Sequence, residues 1–80
     1  MTSQELVLVT SHDCHLCTHG QVVLARLGLA AREVDIDSEE AQELAEAGAP
    51  LSFLPVLWGG GRVVAYGRFS EKRLLRELGL

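Results

Sequence analysis

Apolar and polar positions fall in short blocks whose periods mark a succession of strands and helices. Leu6 to Val9, extended to Thr10, is a continuous apolar run with β-branched members, the pattern of a strand buried on both faces. Thr10 to Asp13 is polar and predicts a loop. From Cys14 to Leu27 the apolar positions Leu16, Val23, Leu24 and Leu27 suit a helix, with Gly20 its weak point and Gly28 its stop. Ala30 to Ile36 predicts a second strand with Val34 and Ile36 on one face. Asp37 followed by Glu40 predicts a capping box, with acids crowding the first turn of a short helix striped by Ala41, Leu44 and Ala45. Gly48 ends that helix and Pro50 prevents its resumption.

Phe53 to Trp58 is a third strand, and Pro55 within it marks an edge strand or an irregular start. Gly59-Gly60-Gly61 predicts a hairpin turn into a fourth strand, Arg62 to Tyr66. Gly67-Arg68-Phe69 connects to a last helix capped by Ser70, with Leu74, Leu75 and Leu78 inward and Gly79 as its stop. The order is β-α-β-α-β-β-α. Strands joined through a helix run parallel and the final hairpin is antiparallel. The expectation is an α/β fold, a four-stranded mixed sheet with helices on both faces, forming one domain over residues 1–80.

Composition narrows the function classes. The chain is 48% hydrophobic and 22% charged, too apolar for disorder. A net charge of −4 without a basic patch argues against nucleic acid as a partner. No apolar run is long enough to cross a bilayer, and the first residues lack a positive leader, so no membrane association and a cytoplasmic location are expected. A monomer is expected.

The chemistry sits in Ser11-His12-Asp13-Cys14-His15-Leu16-Cys17, which holds both cysteines of the chain at a strand-to-helix junction. The first turn of a helix presents unpaired N–H groups and the positive end of the dipole, so a thiolate at Cys14 is stabilised there and its pKa is expected to fall. Cys17 lies one turn on, on the same face, placed to resolve a mixed disulfide formed at Cys14. His15, as imidazolium, would stabilise the Cys14 thiolate, and Asp13 would oppose it. His12 and His19 flank the motif and are expected to be solvated. A soft-metal module holding zinc or copper through the same cysteines is the alternative, although no residue is assigned as a metal ligand.

With Cys14-His15-Leu16-Cys17 after the first strand, Phe53-Leu54-Pro55 before the hairpin and Gly67 ahead of the last helix, the chain resembles the glutaredoxin-like branch of the thioredoxin superfamily over almost its full length. The resemblance implies a thioredoxin/glutaredoxin-like fold and a thiol–disulfide oxidoreductase with Cys14 and Cys17 as its catalytic pair. It implies a cis Leu54–Pro55 bond facing the dithiol, leaving the Leu54 N–H and C=O open to an extended cysteine-containing substrate. Gly67, Arg68 and Ser70 would complete the substrate site, Ser70 binding a small carboxylate at the helix start and Arg68 supplying charge. The implied partners are a protein or low-molecular-weight disulfide and a reductase or glutathione as electron donor. No bound cofactor is implied, with glutathione a co-substrate. Some positions depart from the family's common pattern: His15-Leu16 replaces Pro-Tyr or Pro-Phe, Ser11 replaces a base, and Phe53-Leu54 replaces Thr-Val.

Overall fold

The computed structural model of the chain describes residues 5–79. Its elements are β1 (Leu6–Thr10), α1 (His15–Arg26), β2 (Ala31–Asp35), α2 (Glu39–Glu46), β3 (Val56–Gly59), β4 (Arg62–Tyr66) and α3 (Glu71–Leu78). They form one four-stranded sheet in the order β2-β1-β3-β4. β1 runs parallel to β2 and antiparallel to β3, and β3 pairs antiparallel with β4.

The apolar run of β1 explains the layers. Successive side chains of a strand point to opposite faces. Leu6 and Leu8 enter one core with Val23 and Leu24 of α1, Phe69, and Leu74 of α3. Val7 and Val9 enter a second core with Val34, Val56 and Ala41 of α2. The sheet is therefore covered on both faces, by α1 and α3 on one side and by the short α2 on the other.

Several local expectations change. The cap of α2 is Ser38, whose hydroxyl accepts the Ala41 N–H at 3.1 Å, and not an Asp37–Glu40 box. Asp35 makes the preceding turn by accepting the Asp37 N–H at 2.7 Å, and the Glu40 side chain reaches across to Arg32. β3 begins at Val56, so Phe53 to Pro55 lie ahead of the strand. Pro55 thereby interrupts no ladder bond, and β3 is an interior strand. The hairpin turn is Gly60-Gly61, with φ of 61° and 80°, the left-handed pair that a two-residue turn requires, while Gly59 still belongs to the strand. Leu16 is exposed because the buried stripe of α1 is Cys17, Gly20, Val23 and Leu24.

Gly20 is a packing requirement rather than a weak point. A Cβ there would lie 3.1 Å from the Pro55 ring and 3.2 Å from the Phe69 ring. Both rings are buried, so neither has room to give. Helix α1 can lie this close to the loops before β3 and α3 only without a side chain at residue 20.

At the opposite edge, Arg32 of β2 donates to the carboxylates of Glu40 and Glu5. The hydrogen bonds from Arg32 hold the Glu40 carboxyl below its ordinary value, and the guanidinium is in turn made still harder to deprotonate. The cluster is exposed, so its worth is modest and screened by salt.

Gly20→Val is expected to destabilise the fold by about 1–3 kcal/mol through overpacking, read from the urea midpoint. The Arg32–Glu40 pair gives a pH signature of known sign. A carboxyl held lower in the folded than in the unfolded chain stabilises above the ordinary glutamate range, and that increment is lost as pH falls through its folded value. Arg32→Ala should therefore be less stable than wild type at neutral pH, and the gap should close on acidification.

Candidate functional site

The end of β1 and the start of α1 place the cysteines. Cys14 is the N-cap residue of α1, with extended backbone (φ −108°, ψ 101°), and its Sγ accepts the Cys17 N–H at 3.0 Å. The sulfur thus takes the position usually held by a Ser or Asp oxygen, against one of the unpaired N–H groups of the first turn. No acidic residue occupies that turn. Cys14 and Cys17 form a disulfide, with Cα atoms 5.2 Å apart. Their surroundings differ: Cys14 is half-buried at the surface, whereas Cys17 is only 3% exposed on the inward face of the helix. Asp13 and His15 are solvent-exposed, and neither is hydrogen-bonded to the dithiol.

The other predicted residues come to this junction from the second half of the chain. β3 runs antiparallel to β1 with Val56 opposite Val9, so the Phe53–Pro55 loop lies beside the loop that carries Cys14. The Leu54–Pro55 bond is cis, and Pro55 packs against Gly20, one turn beyond Cys17. The Phe53 N–H donates to Pro50, and the Phe53 and Pro55 carbonyls both accept the Gly67 N–H at 2.9 Å. Leu54, between them, has no backbone partner among the described residues. Gly67 therefore ties the two loops together, and its own N–H is already engaged.

Arg68 and Ser70 lie on a different flank. They line a groove of about 520 Å³ between α1 and the start of α3, together with His19, Val23 and Lys72. The Ser70 hydroxyl accepts the Arg73 N–H at 3.1 Å as the cap of α3. His19 is not solvated as expected. Its Nε2 lies 3.2 Å from the Phe69 carbonyl oxygen, so it carries the proton and donates, pinning the 67–70 loop to the dithiol helix. The signal was present in the sequence, since His19 stands four residues before Val23 and so borders the buried stripe of α1.

Among the described residues no group of three or more His, Cys, Asp or Glu side chains is placed to hold a metal ion. None of the described helices is long and apolar enough to cross a membrane.

A mixed four-stranded sheet with a dithiol at the start of α1 and a cis-proline beside it has the thioredoxin-like fold. Comparison with solved structures agrees. The maleylacetoacetate isomerase of Anaeromyxobacter dehalogenans 2CP-1, solved with glutathione bound in its active site, aligns with 98% of this chain at a TM-score of 0.56 and 26% identity. The chain spans only 38% of that protein's length. No protein-family model matches the chain, and no curated protein does.

His19→Ala removes a tether of the 67–70 loop. It should lower stability by about 1 kcal/mol in chemical denaturation and raise amide exchange at Gly67 to Ser70.

Proposed function

We propose that the chain is a glutaredoxin-like thiol–disulfide oxidoreductase in which Cys14 attacks and Cys17 resolves. The observation that carries this reading is the position of the Cys14 sulfur, at the helix N-cap, half-exposed and facing the Cys17 N–H. In the reduced protein the same N–H and the helix dipole stabilise negative charge on that sulfur. The Cys14 thiolate attacks one sulfur of a substrate disulfide. The Cys14–substrate bond forms, the substrate S–S bond breaks, and one substrate thiolate leaves and takes up a proton. Cys17, losing its proton, then attacks the Cys14 sulfur and expels the second substrate thiol. Two electrons pass from the protein dithiol to the substrate, leaving the Cys14–Cys17 disulfide. Burial of Cys17 suits the second role, because it meets only a partner already joined to Cys14.

Leu54 supplies the main-chain groups for an extended substrate, with Pro55 holding the loop against α1. A thiol donor must return two electrons to the disulfide. Glutathione fits that role through the Arg68–Ser70 groove, where Arg68 and Lys72 suit its carboxylates and Glu71, also in the lining, is paired with Arg26, and the glutathione-binding isomerase of similar fold supports it. A protein reductase is the competing donor.

Reduction of insulin or of a small aromatic disulfide tests the reading. Wild type should be active, Cys14→Ser should fall to the uncatalysed rate, and Cys17→Ser should accumulate a stable mixed disulfide visible by mass spectrometry. Equal rates in all three proteins would end the proposal.

A further inference from the structure

Resting on the reading of Cys14 as the attacking sulfur, we propose that Phe53 and Tyr66 form a substrate-selecting surface. They favour protein disulfides whose cysteine is flanked by large apolar residues. Phe53 and Tyr66 meet as a tilted aromatic pair, with ring centroids 5.8 Å apart and planes at 51°. They nevertheless remain 58% and 45% exposed. Two touching aromatic rings left half in water make an apolar face, not scattered surface residues. The second core lies directly behind, and neighbouring Leu51 and Leu54 pack against it. Phe53 does not, although its backbone is held by Pro50 and by Gly67.

The face adjoins the dithiol. Tyr66 lies opposite Val56 on the next strand, and Val56 lies opposite Val9 at the end of β1. The loop bearing Cys14, the open Leu54 backbone and the aromatic pair thus share one end of the sheet. Leu16, between the cysteines, adds a further apolar group that is 38% exposed.

Backbone pairing fixes how a substrate lies there. The Phe53 N–H and C=O and the Pro55 C=O are occupied and proline has no N–H, so Leu54 alone of the three can pair with an incoming strand. The residues flanking the paired one then turn their side chains to the face opposite its own, and Phe53 is the chain neighbour of the pairing position. Directly opposite residues of a ladder share a face, so Tyr66 lies with Val56 on the α2 side of the sheet. The Arg68–Ser70 groove is on the α1–α3 side. A small thiol held in that groove leaves the aromatic pair bare, and a longer chain paired at Leu54 covers it. Charge narrows the occupant further. The exposed acids Glu39, Glu43 and Glu46 on α2 disfavour an acidic flank.

The test uses the full chain, reduced beforehand, and disulfide-linked peptide dimers whose residues on both sides of the cysteine are Phe, Gly or Asp. The Phe peptide should oxidise the protein about tenfold faster than the Gly peptide, with the Asp peptide slowest. In a Phe53→Ser, Tyr66→Ser double variant the Phe-to-Gly ratio should fall toward one. Equal rates for all three peptides in wild type, or an unchanged ratio in the variant, overturn the proposal. Should Cys14→Ser react as fast as wild type, it is the dithiol reading that fails. A Phe peptide carrying Ser in place of Cys cannot exchange and reports binding alone. Its amide shift changes should centre on Phe53, Leu54 and Tyr66, and shifts confined to other residues would also overturn the proposal.

Discussion

The close approach of helix α1 to the Pro55 and Phe69 rings, across the bare backbone of Gly20, is the constraint on which the rest of the site depends. One turn from Gly20 toward the helix start is Cys17, and one turn further is Cys14. Pro55 and Phe69 each belong to a loop that carries residues of the proposed substrate site. Contact at a single glycine thus brings three distant segments to one end of the sheet. The His19–Phe69 and Gly67–Phe53–Pro55 hydrogen bonds then lock the segments to one another.

Within this frame the two sulfurs are chemically unequal. Cys14 ends the polar loop and takes a capping position, where the unpaired N–H groups of a helix favour an anion. Cys17 is set into the apolar stripe and shielded from solvent, which suits the resolving role proposed for it. The same end of the sheet offers two unlike flanks. A groove with Arg68, Lys72 and Ser70 opens between α1 and α3. The aromatic pair opens toward α2, whose outer face is acidic. On the proposed reading, a small thiol donor and a protein substrate would meet the cysteine pair from these different flanks.

Much of the architecture was legible because it depends on neighbours along the chain. Alternation and helical spacing locate the elements to within a residue or two, except β3, which starts three residues later than expected. Ser70 is recognisable as a cap from its place before an amphipathic run, whereas the cap of α2 falls one residue beyond the expected Asp37 because Asp37 and Ser38 are both good caps. Choosing between them required knowing that Asp35 turns the chain and that Arg32 draws Glu40 away. Pro55 suggested an edge, yet β3 is interior, since a proline just ahead of the first paired residue removes no ladder bond.

Local pattern dictates the order of elements and the placing of a Cys-x-x-Cys pair at a helix start, since strand period, helix period and capping act within a turn or two of chain. Three-dimensional packing alone makes Gly20 a contact surface, lets His19 donate to a carbonyl 50 residues away and leaves Phe53 tilted against Tyr66 in the open. Those outcomes depend on how closely a helix settles on a sheet. That distance is set by all the side chains between them, and no local pattern encodes it.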